Sequence, residues 1–205
     1  MPSLPRPQEE LRERLVIAVR ALADDGDGGH LERVHFNPPE RSALEPLPTT
    51  EKVAILQRDS FTCRYCGIRQ IFLPVLRALS EGYPDRFPVD SGWTTHGTHP
   101  AYNLLSATFD HVIPPDKGGK SDPETIVTAC WPCNSGKSNY SIEQVGFKLR
   151  PPSHSGWDGL SKIYPQLCKL LSIDSRRYHQ DWLKALHPDF KGRRSSELGT
   201  ERRTG

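Results

Sequence analysis

The segment ACWPCNSGK, residues 129–137, contains a Cys-x-x-Cys pair directly ahead of a predicted helix. Cys130 and Cys133 can belong either to a redox-active dithiol or to one half of a zinc site. Pro132 suits the first turn of a helix, where no amide hydrogen is needed. The segment therefore predicts a helix whose start carries two thiols, and the other cysteines decide between redox chemistry and metal binding.

A second Cys-x-x-Cys pair, Cys63 and Cys66, lies in FTCRYCG, and 63 residues separate Cys66 from Cys130. Four thiolates complete a tetrahedral zinc site, two from each tight turn. A redox dithiol needs only one pair and usually lies in a βαβ unit, which the sequence around residue 130 does not predict. We therefore predict a structural zinc ion and disfavour a dithiol oxidoreductase. Cys168, in the apolar segment QLCKLL, is predicted to be a buried, unreactive thiol.

The sequence between the two pairs predicts a β-hairpin that precedes the helix. LLSATFDHVIP, residues 104–114, has the β-branched and aromatic content of a strand, and TIVTA, residues 125–129, that of a second one. A glycine-containing loop joins them. Further helices are predicted at about 50–58, 68–80, 158–172 and 175–186, with another at 9–23, and residues 82–103 are predicted to be an irregular loop.

Such a hairpin, packed on the helix, would bring Asp110 and His111 close to Asn134. Carboxylate and amide oxygens are hard ligands for Mg²⁺. An imidazole with a pKa near neutrality can take a proton from an attacking water. These three residues therefore predict phosphodiester hydrolysis, with Lys137, Lys117 and Lys120 as contacts to the phosphates of the substrate.

The ordered elements CRYC, DHVIP, GG, ETIV and CWPCNSGK resemble the HNH endonucleases of the ββα-metal (His-Me finger) type. The resemblance covers roughly residues 55–140 and implies an α+β fold, a zinc-stapled ββα-metal core with flanking helices. It implies metal-dependent hydrolysis of DNA that leaves 5′-phosphate and 3′-hydroxyl ends. By position, His111 resembles the general base, Asp110 and Asn134 the ligands of a catalytic Mg²⁺ or Mn²⁺, and Lys137 the helix lysine near the substrate.

Thr125 departs from the family pattern, because ETIV stands where ENLV is usual. The family's Asn braces the hairpin and helps to orient the general base. A threonine hydroxyl offers fewer hydrogen bonds than an amide, so a catalytically degenerate zinc module that binds nucleic acid or protein stays open as an alternative. The 43 residues between Cys66 and Asp110 form a second departure, an insertion at about 67–105.

The chain is predicted to divide into four parts. Residues 1–48 form an N-terminal helix and a proline-rich linker, and residues 49–150 form the nuclease core with its insertion. Residues 151–187 form a C-terminal helical extension, and residues 188–205 form a basic, disordered tail. His96 and His99, in the insertion, are more often packing or loop residues than ligands.

The charge distribution points to a polyanionic partner. Residues 1–60 carry 8 basic and 11 acidic side chains, whereas residues 61–205 carry 19 and 14, so the basic excess lies with the cysteines. We expect double-stranded DNA as the substrate, and a homodimer or a partner protein stays open. The proline-rich, charged N-terminal segment and the lack of a long apolar run predict a cytoplasmic protein without a membrane span.

Overall fold

The computed structural model describes residues 47–90 and 97–189. The predicted helix at 9–23, most of the proline-rich linker, His96 and most of the basic tail lie outside these residues. Within them the helices are α1 (Thr49–Arg58), α2 (Leu73–Gly82), α3 (Pro100–Leu105), α4 (Trp131–Lys137), α5 (Tyr164–Leu170) and α6 (Arg177–Leu186). The strands are β1 (Ala107–His111) and β2 (Ile126–Cys130), so the fold is of the α+β class.

The two strands form an antiparallel hairpin that leads directly into α4. The register pairs Ala107 with Cys130 and His111 with Ile126. Both predicted strands are therefore present, although β1 is shorter than the predicted 104–114 because α3 continues to Leu105. The prediction of an irregular loop over 82–103 was wrong at its end, since Pro100 starts α3 in the position where proline costs no hydrogen bond.

The insertion enters and leaves the fold at adjacent points. Ile71 forms an isolated parallel bridge with Ser106, in which Ile71 N donates to Leu105 O at 2.7 Å and Ala107 N donates to Ile71 O at 3.1 Å. This extended pairing delays α2, which begins at Leu73 and not at the predicted residue 68. The insertion therefore begins and ends close to the start of the hairpin.

The larger hydrophobic core is built from this insertion and the C-terminal extension. Phe72 is fully buried and meets Tyr164 and Trp182 edge-on, with ring centroids 5.4 and 5.1 Å apart. Around it pack apolar side chains of α2, α3, α5 and α6, among them Val75, Leu76, Leu79, Ala101, Leu167 and Leu183. Burying one such side chain stabilises the fold by about 1.5–3 kcal/mol, so these segments depend on each other for stability.

A smaller core lies between the first cysteine turn and β2. Tyr65 packs there with Val127 and Ala129, and Phe147 covers it with its ring centroid 5.3 Å away. The chain after α4 is held over this turn because Arg150 N donates to Arg64 O at 2.7 Å. Residues 147–150 thereby close the cluster from outside.

Asp59 connects α1, the first cysteine turn and β2. Its buried carboxylate accepts hydrogen bonds from Arg58 at 2.9 Å, Arg64 at 2.8 Å and Thr128 N at 2.8 Å. Burial acts to raise the pKa of Asp59, but these hydrogen bonds hold it below its usual value. The ionised Asp59 carboxylate therefore helps to fix the position of β2 relative to the cysteines at neutral pH.

His179 connects α6 to α2 and α5 from a fully buried position. Its Nδ1 lies 2.7 Å from the Tyr164 hydroxyl and its Nε2 lies 3.2 Å from Glu81 Oε2, which Arg176 also contacts. Burial lowers the pKa of His179, although the hydrogen bond and charge of Glu81 act to raise it. The imidazole is therefore neutral in the folded protein at neutral pH.

We predict that His179 makes stability depend on pH in mildly acidic solution. In the unfolded chain a histidine takes up a proton near pH 6.5, whereas the folded protein resists it, so the free energy of unfolding falls as pH drops below about 6.5. Urea unfolding at pH 7.5 and 5.5 should reveal a smaller fall for His179→Gln than for the wild type. The exposed His154→Gln is the control, and equal falls in all three proteins would contradict the prediction.

Candidate active site and metal centre

The four cysteine sulfurs of the two Cys-x-x-Cys turns lie together. All four Sγ atoms are within 4.8 Å of one another, and those of Cys66 and Cys130 are 3.7 Å apart. A zinc ion with Zn–S bonds of about 2.3 Å requires sulfurs about 3.8 Å apart at the corners of a tetrahedron. The spacing fits this coordination, so the four cysteines are positioned to hold a metal ion.

The four thiols shift one another's pKa values. Hydrogen bonding with Cys130, then with Cys133 and Cys66, lowers the pKa of Cys63. The pKa of Cys130 is raised, first by its hydrogen bond with Cys133 and then by those with Cys63 and Cys66. Sulfurs this close cannot all carry a negative charge unless a cation compensates them, which is what a bound Zn²⁺ would supply.

Loss of one ligand should release the metal and destabilise the chain. We expect Cys133→Ser to lower the zinc content from one ion per chain and to lower the melting temperature, because zinc binding is coupled to folding at such sites. Atomic absorption and thermal denaturation measure both. Cys168→Ala is the control, since Cys168 is a buried thiol outside the cluster with a pKa raised by burial to about 12. Full zinc content in Cys133→Ser would contradict the assignment.

One face of β1 packs against α4 and carries Thr108 and Asp110. Side chains two apart on a strand share a face, and side chains three apart on a helix do so as well. Asn134 Nδ2 accordingly donates to Thr108 Oγ1 at 3.0 Å and to Phe109 O at 3.1 Å. One turn further along α4, Lys137 Nζ lies 3.1 Å from Asp110 Oδ2 and 3.3 Å from Oδ1.

Asp110 is buried between two donors. Tyr65, from the first cysteine turn, donates its hydroxyl to Asp110 Oδ2, while Lys137 approaches both carboxylate oxygens. Burial raises the pKa of Asp110, against the hydrogen bond from Tyr65 and the charge of Lys137. Burial and the neighbouring Asp110 charge also raise the pKa of Tyr65, which keeps its hydroxyl protonated as a donor.

His111 ends β1 and lies next to the loop that joins the strands. Its Nε2 is 2.9 Å from Ser121 Oγ, and the side chain is half-buried. Burial lowers the pKa of His111, although the charge of Asp110 acts to raise it. A neutral imidazole with one nitrogen held by a hydroxyl is able to accept a proton at the other nitrogen.

Thr125 braces this loop. Its hydroxyl donates to Lys120 O at 2.6 Å, and its own carbonyl accepts from Val112 N at 3.0 Å. Asp122 Oδ1 accepts from Thr125 N at 2.9 Å and closes the turn from the other side. Thr125 therefore fixes the short segment that carries Ser121, the hydrogen-bond partner of His111.

Residues 94–140 match the HNH endonuclease family. This match confirms the resemblance predicted from the sequence and indicates nuclease-type activity for the matched span, which we call the HNH segment. It includes β1, β2, α4 and the second cysteine pair, whereas the first cysteine pair precedes it. No curated protein and no solved structure shows a significant match to the chain. No helix in the described ranges 47–90 and 97–189 is long and apolar enough to span a membrane.

The lysines of the HNH segment differ sharply in exposure. Lys117 and Lys120 are exposed on the loop, and Lys117 Nζ donates to Gln144 Oε1 at 2.6 Å. Lys137, which the resemblance assigns to the substrate, is fully buried. Lys117 and Lys120 are therefore open to solvent, whereas Lys137 is enclosed by the fold.

His99 serves the packing of the insertion. Its Nδ1 accepts from Ala101 N at 3.3 Å at the start of α3, and its ring stacks on Phe87 with centroids 4.0 Å apart. The sequence argument missed Tyr65 and Ser121 as contacts of Asp110 and His111. A signal for Tyr65 was present, because it lies between Cys63 and Cys66, and a metal shared with Cys130 and Cys133 would bring that turn beside β2.

The two glycines of the loop serve different purposes. Gly118 has a φ of +86°, in the left-handed region that side chains disfavour. At Gly119 a Cβ atom would lie 1.8 Å from Ile113 O, which backbone atoms do not permit. Together they let the chain turn tightly after β1 and lead to Ser121.

We expect Gly119→Ala to destabilise the protein by more than about 1 kcal/mol, because the loop backbone must shift to admit the methyl group. Gly136→Ala is a matched control in α4, where a Cβ meets nothing within 4 Å and alanine favours the helix by about 1 kcal/mol. Urea denaturation of both variants measures the difference. An unchanged free energy of unfolding in Gly119→Ala would contradict the described loop geometry.

Proposed function

We propose that the chain is a metal-dependent endonuclease that hydrolyses DNA phosphodiester bonds, with His111 as the general base. The observation that carries this proposal is the position of His111: a half-buried imidazole of lowered pKa, held by Ser121 at the end of β1, within the HNH segment. Its Nδ1 takes no hydrogen bond from the described residues. This nitrogen is the one that would accept the proton of the attacking water.

Asp110 and Asn134 are the proposed ligands of a catalytic Mg²⁺ or Mn²⁺. Their chemistry fits a hard cation in kind, since the carboxylate already attracts an ammonium group and the Asn134 amide oxygen takes no hydrogen bond from the described residues. A bound metal would supply stabilisation of charge on the phosphate and the departing oxygen. The zinc at the four cysteines would have a separate role, which is to fix the start of α4.

The proposed reaction is attack of water on phosphorus with cleavage of the bond to the 3′ oxygen. His111 removes one proton of that water as its oxygen bonds to phosphorus, and the bond from phosphorus to the 3′ oxygen breaks. The departing oxygen takes a proton from a solvent water and becomes the 3′-hydroxyl, while the phosphate stays on the 5′ end. Lys117 and Lys120, exposed on the loop beside Ser121, are proposed to hold neighbouring phosphates. Ser121 holds the imidazole in position throughout, and Thr125 supports Ser121.

A second candidate function is binding of nucleic acid without cleavage. The contacts of Asp110 favour it, because Tyr65 and Lys137 already satisfy both carboxylate oxygens. In that case His111 would have no catalytic task, and its removal would leave binding intact.

Cleavage of supercoiled plasmid separates the two candidates. We expect the wild type to nick or linearise the plasmid with Mg²⁺ or Mn²⁺, and we expect this cleavage to stop in EDTA. The zinc content is measured after EDTA treatment to show that the structural zinc is retained. His111→Ala should lose about 10²–10⁴-fold in rate, because a general base contributes that much. His154→Ala, which removes an exposed histidine elsewhere, should cut at the wild-type rate.

Equal cutting by His111→Ala and the wild type would contradict the role of His111. If neither protein cuts while both retard DNA in a gel-shift assay, the binding function is supported and the proposed hydrolysis is not.

A further inference from the structure

Lys137 is a cation enclosed by the fold. Its side chain is fully buried and is among the largest such side chains of the described residues. Its Nζ donates to His111 O at 2.7 Å and lies 3.3 Å from Asp110 Oδ1 and 3.1 Å from Oδ2. Three oxygen atoms thus surround an ammonium group that has three hydrogens to donate.

This arrangement is unusual for a lysine, because burying an unpaired charge costs far more than folding normally gains from one residue. The charge is tolerated because Asp110, itself 5 % exposed, neutralises it. The ligands of the ammonium, a carboxylate and a main-chain carbonyl, are also those that a hard divalent cation takes. Lys137 therefore occupies the neighbourhood in which the proposed catalytic metal would bind.

Among the described residues, the direct contacts of Lys137 include one negative group. Asp110 is the negative group in contact with Lys137, and its other neighbour, Tyr65, is a neutral hydroxyl. The next residue, His111, has an imidazole side chain and adds no negative charge. A divalent ion placed on Asp110 while Lys137 stayed in contact would face a like charge at salt-bridge distance.

We propose that Lys137 is an internal counter-ion that competes with the divalent metal for Asp110. The inference rests on the proposed function and differs from the role implied by the resemblance, in which this lysine lies near the substrate. Lys137 holds the carboxylate aligned between Tyr65 and α4. Metal entry requires the ammonium to withdraw from Asp110, so Lys137 weakens metal affinity and acts as a positioning residue.

The test is a titration of zinc-loaded protein with Mn²⁺, followed by electron paramagnetic resonance of the free ion at pH 8. We expect Lys137→Met to bind Mn²⁺ at least about tenfold more tightly than the wild type, because the substitution removes a like charge next to the site. Mn²⁺ should also raise the melting temperature of Lys137→Met more than that of the wild type, since the metal replaces the lost partner of Asp110. Lys184→Met, which removes an exposed lysine of α6, should bind as the wild type does.

Lys137→Gln is a second neutral variant that can still donate to His111 O, and it is measured in the same way if Lys137→Met lacks zinc. Equal or weaker Mn²⁺ binding by the neutral variant would overturn the inference. Asp110→Asn separates this failure from that of the proposed function. If Asp110→Asn abolishes binding but the neutral variant matches the wild type, only the competition is refuted; if no protein binds Mn²⁺, or Asp110→Asn binds normally, the metal role of Asp110 is refuted with it.

Discussion

The convergence of four cysteine sulfurs is the constraint on which the rest of the structure depends. Two tight turns, separated by 63 residues, must meet before the spacing needed for a tetrahedral metal exists. The second turn is continuous with β2 and α4, so fixing it also fixes the hairpin and the helix that carry Asp110, His111 and Asn134. The first turn brings Tyr65 to Asp110 in the same step. A metal bound at these sulfurs would therefore order the site as well as the fold.

The site lies between two differently stabilised regions. On one side is the small cluster around the cysteines, which contains few large apolar side chains. On the other is the larger core of the insertion and the C-terminal helices, centred on Phe72. Asp59 joins the two, because its carboxylate contacts α1, the first cysteine turn and β2 together. The geometry of the HNH segment thus depends on residues well outside it.

The motifs in the sequence predicted the succession of strands and helix in the HNH segment. The spacing of the cysteines, the glycine pair and the β-branched and aromatic content of the two strand segments predicted strand, loop, strand and helix, and these elements are present. What the sequence could not provide was the environment of each polar side chain. In the sequence Lys137 cannot be told from an ordinary surface lysine. Only the packing of α4 on β1 shows that it is buried. Thr125 was predicted as an orienting residue, but the partner of its hydroxyl was hidden, because it is a main-chain oxygen five residues back.

The bridge between Ile71 and Ser106 has a consequence for how such a chain can diverge. An insertion whose two ends lie next to each other can gain or lose residues without moving the cysteine turns. Here, however, its buried face is shared with residues 157–186, so each segment exposes apolar surface when the other is lost. Relatives of this chain that keep one segment are therefore expected to keep the other.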